Sequence, residues 1–271
     1  SGMQNKFKQK LKFVLNYNDV KTIRKSSLFD HLWYASQIYA GVSLMWDELL
    51  IHYIIFGSRI RLSPHPLFNT KWYIDNNSDL NSYSKNLLLH YLNHGEKEGR
   101  NPCPYFFPNW YRITNVDIQS SKTSLLQHYI QHGEAEGRKP NPYFFPDWYL
   151  ARYPDVAESG TPPLMHYQQY GEREGRLPCP LFLPCWYRHK YLTDDLDNSY
   201  PLHHFIEYGE KEGKNPNPHF WTNWYAEKYH LNIREGLRPL EDYLLRGEDC
   251  NRRPNPHFYP KWYLENNPDV K

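Results

Sequence analysis

Histidine recurs on a fixed beat in this 271-residue chain, at His52, His90, His128, His166 and His204, with Asp242 in the sixth place. Imidazoles in register invite a metal reading. Equivalent positions of neighbouring helical units lie on the order of 10 Å apart, whereas a shared zinc needs ligand bonds near ~2 Å. The ladder is therefore expected to be structural, each ring hydrogen-bonded to a neighbouring loop, with no metal. Paired carboxylates form the second constellation: Glu96, Glu98 and Arg100; Glu134, Glu136 and Arg138; Glu172, Glu174 and Arg176; Glu210, Glu212 and Lys214. Two carboxylates so close could do acid/base work, but an active site is not tiled four times. A carboxylate just past a helix C-terminus opposes the dipole and wants a cation. The closing Arg or Lys supplies it, as a charge ladder or as an acidic binding face. Asp195-Leu196-Asp197 has the spacing that holds a metal and a nucleotide sugar, yet no nucleotide-binding sheet pattern surrounds it. No P-loop, GxGxxG, HExxH or GxSxG is present.

The elements that carry these residues repeat as well. Trp-Tyr pairs stand at Trp72, Trp110, Trp148, Trp186, Trp224 and Trp262, each 38 residues after the last, with one more at Trp33. A period of this length marks a repeat array. The clearest copy is Asn141–Arg176. Prolines at i and i+2, such as Pro140 and Pro142, hold an extended segment. Pro108, Pro146, Pro184 and Pro260 suit a first helical turn. Pro154-Asp155 is expected to stop this first helix. Thr161-Pro162-Pro163 is expected to cap a second, with Leu164, Tyr167 and Tyr170 lining one face. Gly171 is expected to end it as a left-handed cap. The sequence predicts an all-α fold, an α-solenoid of helical hairpins with a 38-residue period, tetratricopeptide-like in architecture. Residues 27–271 form a single solenoid of six full repeats and a truncated seventh. Residues 1–26 form a basic lead-in. Phe7, Leu11 and Val14 there mark either a cap helix or, over residues 3–25, a basic amphipathic helix on an anionic membrane surface.

Composition narrows the function. Rings make up 17% of the chain, so the aromatic side chains must supply most of the buried area. The net charge of +2, with mixed signs, gives no basic stripe for nucleic acid. Four cysteines without CxxC spacing read as reduced thiols of a cytoplasmic protein. Cys103 and Cys179 share one slot, between the two prolines. Ser1-Gly2 reads as a tag remnant before Met3, and the break inside a repeat at Lys271 suggests a piece of a longer protein. The rings flanking the repeat Phe vary. Such slots either pack between units or face outward. Facing outward, Tyr105, Phe107, Tyr143, Phe145, Trp221 and Tyr259 would stack on sugar rings or grip a protein.

The string F-x-x-x-W-Y-L-x-x-x-P-D-V … P-L-x-H-Y-x-x-x-G-E-x-E-G-R over Phe144–Arg176 resembles tandem repeats of bacterial cell-surface polysaccharide proteins. These are the rhamnan synthesis protein F-like and other capsule or O-antigen glycosyltransferases, in which such units accompany a catalytic domain. The resemblance spans residues 27–271, and Asp242 and the Gly247–Arg252 segment depart from it. It implies a non-catalytic module without a cofactor. Its role would be to position an acceptor polysaccharide or dock a partner of the glycan assembly machinery, at the inner face of the membrane or in the cytoplasm.

Overall fold

The computed structural model describes residues 17–38, 45–83, 85–120, 123–193, 200–247, 249–267 and 269. Phe7, Leu11 and Val14, and Asp195-Leu196-Asp197, lie outside them. The fold is all-α, and no strand occurs among the described residues. The chain divides into two compact units, Ser1–Glu136 and Gly137–Lys271.

The first unit contains α1 (Tyr17–Lys25), α2 (His31–Ile38), α3 (Trp46–His52), α4 (Thr70–Asp75), α5 (Leu87–His90), α6 (Pro108–Thr114) and α7 (Leu125–His128). The second contains α8 (Pro146–Arg152), α9 (Pro154–Ser159), α10 (Pro163–His166), α11 (Pro184–Tyr191), α12 (Pro201–His204), α13 (Thr222–Lys228), α14 (Pro239–Arg246) and α15 (Pro260–Asn266). Proline opens many of them because its missing N–H is not needed in the first turn. Pro154 does the same: it starts α9 rather than only ending α8.

Helices α3, α5, α7, α10 and α12 each run on into one π turn: Tyr53–Gly57, Tyr91–Gly95, Tyr129–Gly133, Tyr167–Gly171 and Phe205–Gly209. In the π turns the N–H after the glycine bonds five residues back, as from Glu96 to the Tyr91 carbonyl at 3.0 Å. Gly171 is thus a helical residue and not a left-handed cap. The left-handed turn comes four residues later. Arg61 (φ 63°), Gly99 (75°), Gly137 (69°), Gly175 (74°), Gly213 (74°) and Asn251 (50°) hold one slot in six consecutive repeats. Divergent repeats keep the turn even with Arg or Asn in it.

Each repeat has its own aromatic core. Phe144, Tyr149 and Tyr167 meet at centroid distances of 5.4, 5.3 and 5.8 Å. Phe68, Tyr73 and Tyr91 form the same triad, as do Phe106, Tyr111 and Tyr129, and Phe182, Tyr187 and Phe205. The tyrosine of each Trp-Tyr pair from Tyr34 to Tyr225 is fully buried, while the tryptophans from Trp33 to Trp224 are half-buried. Of each Trp-Tyr pair it is the Tyr that fills the core, at roughly 1.5–3 kcal/mol per large buried side chain. The rings also seal one another inside a repeat rather than only across neighbours.

Neighbours are joined by backbone and by carboxylate. The carbonyl of the first repeat proline accepts the N–H that precedes a helix in the previous repeat: Asn69 to Pro102 (3.0 Å), Phe145 to Pro178 (3.0 Å), Leu183 to Pro216 (3.2 Å) and Trp221 to Pro254 (3.0 Å). A proline has no N–H to lose here, and only its acceptor is used. In the first unit, α1 buries Ile23. The carbonyl of Lys25, its last residue, accepts from Gln127 in α7 (3.2 Å), so the lead-in reaches beyond the first repeat.

Candidate functional site: an outward row of rings

The histidine ladder has a definite partner, and it is not a loop. Nδ1 of each His shares a hydrogen bond with the hydroxyl of its own repeat's buried tyrosine: Tyr34–His52 (2.7 Å), Tyr73–His90 (3.1 Å), Tyr111–His128 (3.0 Å), Tyr149–His166 (3.0 Å) and Tyr187–His204 (2.8 Å). Asp242 does the same work in the sixth repeat, accepting from Tyr225 at 2.6 Å. Burial holds His90, His166 and His204 below the usual imidazole range, so their rings are neutral at pH 7. The same hydroxyl explains the repeat glycine. A Cβ at Gly95, Gly133, Gly171 or Gly209 would run into the hydroxyl of Tyr73, Tyr111, Tyr149 or Tyr187. His, Tyr and Gly are one device, closing the two helices of a repeat on each other.

The two glutamates of GExEGR have different tasks. The second pairs with the closing cation, as expected: Glu98 with Arg100 (2.6 Å), Glu174 with Arg176 (2.6 Å), and Glu212 with Lys214. Arg100 also holds Asp79 (2.8 Å), and Arg176 holds Asp155 (2.7 Å). Glu136 ends the first unit, and Arg138 belongs to the second. The first glutamate is turned inward and caps the second helix of the next repeat. Glu96 accepts from Ser124 Oγ (2.7 Å) and from the N–H groups of Leu125 (2.9 Å) and Leu126 (3.1 Å). Glu172 takes Leu202 N–H (2.7 Å) and His203 N–H (3.0 Å), and Glu210 takes Leu240 N–H (2.8 Å). Helices α12 and α14 are preceded by Tyr200 and Arg238, whose side chains make no cap, so the neighbour's carboxylate supplies it. Helix α10 starts behind Pro162, whose side chain makes no cap; Thr161 lies one residue earlier, where its hydroxyl accepts from Ser159 Oγ (3.0 Å). Ser58 stands where the others have this glutamate, and there Asn86 caps α5 itself.

The slot between the two prolines is another turn device. Asn217 and Asn255 accept the N–H groups two and three residues on, and donate to the carbonyls of Leu181 (2.7 Å) and His219 (2.6 Å) in the preceding repeat. Cys103 and Cys179 occupy this slot fully buried. Burial pushes their thiols up to about 12 and about 11, so they are not nucleophiles near neutral pH.

The rings expected to face outward do not form an open row. Tyr105, Phe107 and Tyr143 are buried. Tyr143 donates to Glu210 at 2.5 Å, and Arg238 lies 3.7 Å from that carboxylate. Phe145 is half-buried with the Lys139 ammonium 3.3 Å above its face. Trp221 and Tyr259 are exposed, but Arg253 lies 3.7 Å over Tyr259, and Trp221 meets His257 edge-on. Flanking a buried Phe, Tyr105, Phe107 and Tyr143 share its environment, while Phe145 and Tyr259 are covered by a cation.

A different row does face out. Four residues after each ladder His stands an exposed ring: Phe56, His94 and His132 in the first unit, Tyr170 and Tyr208 in the second. Each rests on its ladder His at 5.4–5.7 Å between centroids. The π turn places them there, because its wider spacing carries Tyr170 off the face shared by Leu164 and Tyr167. The Arg100, Arg176 and Lys214 ion pairs lie close enough to the adjoining ladder His to act on its titration. The repeats of His90, His166 and His204 thus present a supported ring beside a charged hydrogen-bonding group. A slot that varies in type yet keeps a ring in five repeats was a signal available in the sequence. Among the described residues no group of three metal-ligating side chains occurs, and no helix is long and apolar enough to cross a membrane.

Comparison with protein-family models, with curated proteins and with solved structures finds no match for this chain.

Proposed function

We propose that this chain is a non-catalytic repeat module of a bacterial cell-surface polysaccharide biosynthesis protein, and that it binds the acceptor glycan along its outward rings. The observation that carries the reading is the row led by Tyr170 and Tyr208, one ring per repeat, held rigid on a histidine and flanked by an arginine or lysine salt bridge. Sugar rings offer an apolar face for stacking and hydroxyls for charged hydrogen bonds, and a polymer of sugars suits a polymer of sites. The repeated carboxylates support a binding role over a catalytic one, since the inner glutamate caps a helix and the outer is tied to a cation.

Titration calorimetry with capsule and O-antigen fragments tests this. Binding should weaken at least ~10-fold, or ~1.4 kcal/mol, in Tyr170→Ala/Tyr208→Ala, with the circular dichroism unchanged because both rings are exposed. Heat that survives the double substitution, or none with any glycan, removes the reading and leaves a protein-docking scaffold.

A further inference from the structure

Past each outward ring the chain makes one more helical turn. The N–H four residues on bonds back to the carbonyl of the ring residue: Ile60 to Phe56 (3.2 Å), Glu98 to His94 (3.1 Å), Glu136 to His132 (3.0 Å), Glu174 to Tyr170 (3.0 Å) and Glu212 to Tyr208 (3.0 Å). Residues three apart on such a turn are neighbours, with Cβ atoms about 5–6 Å apart. Three residues after the ring stand Arg59, Lys97, Ala135, Arg173 and Lys211, all exposed. Four of the five are cations, and none is an acid.

The acids of the cationic repeats are engaged elsewhere. Glu96, Glu172 and Glu210 cap helix starts. Glu98, Glu174 and Glu212 are tied to Arg100, Arg176 and Lys214. Ser58 and Ile60 fill these two places after Phe56, and Glu207, just before Tyr208, holds His203 at 2.9 Å. By contrast, Arg59, Lys97 and Lys211 have no ion pair among the described residues, and Arg173 donates to the Gln169 carbonyl (3.1 Å) rather than to a carboxylate. The charge left over beside each of the four rings is positive.

We infer that the glycan stacked on these rings is acidic, a polymer of uronic-acid sugars whose carboxylates meet Arg59, Lys97, Arg173 and Lys211. This rests on the glycan reading above and names the class of sugar. A uronate carries its carboxylate on the same ring that stacks, which matches a cation one turn from the aromatic. A nucleic acid carries a charge on every phosphate and asks for a continuous basic stripe; here there is one such cation per repeat. The His132 repeat, with Ala135, has the ring without the cation.

Titration calorimetry of the whole chain at low salt tests this with oligogalacturonate, alginate and hyaluronan oligosaccharides, each against its own carboxyl-reduced form. At least one uronate should bind ~10-fold or more tighter than its reduced form, with an advantage that shrinks as salt rises. Arg173→Gln/Lys211→Gln should bring that uronate down towards its reduced form. Ala135→Lys, at an exposed position, should raise uronate affinity and leave the reduced form where it was. Equal binding of the two forms, or neutral capsule fragments binding where no uronate does, overturns this inference and leaves the glycan reading standing. Inorganic polyphosphate bound as tightly as the uronate overturns it as well, since charge without a sugar face would then suffice. No heat with any glycan removes both.

Discussion

A single hydroxyl explains three invariants of the repeat. Tyr111 is buried among rings, its hydroxyl meets His128 Nδ1, and Gly133 leaves room for it. Gly133→Ala should destabilise the chain by ~1–3 kcal/mol. Tyr111→Phe alone should cost ~0.5–1.5 kcal/mol. Together they should cost less than their sum, because the phenyl ring no longer strikes the new methyl. Urea melts of the four proteins give the coupling, and simple additivity would refute the device. Two buried groups titrate with opposite sign. Burial lifts Glu210 from 4.5 to about 7, against the pull of Arg238. Between those values the folded chain holds a proton that the unfolded chain has lost, so stability falls as pH rises from 4.5 to 7. Glu210→Gln should flatten that slope while keeping an acceptor for Leu240. Burial takes His65 from 6.5 down to about 4. There the unfolded chain takes up the proton first, and stability falls as pH drops from 6.5 to 4. Melts across pH 4–8 for wild type, Glu210→Gln and His65→Asn separate the two.

At the level of the element, short helices survive because a neighbour caps them. Four helical residues and a π turn are far below the length at which an isolated helix is stable. Glu172→Ala should therefore cost ~1–3 kcal/mol, more than Glu96→Ala, since α7 retains Ser124 as a cap and α12 has only Tyr200 at that place. Denaturant midpoints of the two variants order them, and equal losses would argue against the latch. The turn after each π turn needs a left-handed residue. Arg61 is there at φ 63°, where the other complete repeats have Gly or Asn. Arg61→Gly should stabilise the chain by up to ~1 kcal/mol, since the steric penalty of a side chain at positive φ exceeds the entropy cost of glycine. A lower Tm in Arg61→Gly would show that the turn is not the strained point.

At the largest scale, each complete repeat carries its own ring triad and, within its unit, is tied to the next by a few bonds, so damage should spread only to neighbours. Tyr149→Ala should cost ~3–5 kcal/mol and speed amide exchange first within residues 139–176. Uniform loss of protection throughout the second unit would instead mean that the unit folds as one block. The bonds between repeats run backbone to backbone and carboxylate to helix start. Neither depends on the identity of exposed side chains, which frees the outward row to vary as Phe, His or Tyr.

The period, the helical class, the proline starts and the outer Glu–Arg pairs were determined by the sequence alone, because spacing and turn chemistry act locally. The tertiary structure alone decided which ring of Trp-Tyr goes inside, what the histidines hold, and where the inner glutamates point. Each of those depends on a partner 17 to 31 residues away, and on a π turn that rotates the following side chains without leaving a mark in hydrophobic periodicity. Tyr105 and Tyr143 read as surface by their variability, yet they lie buried because the neighbouring Phe draws their slot into the core.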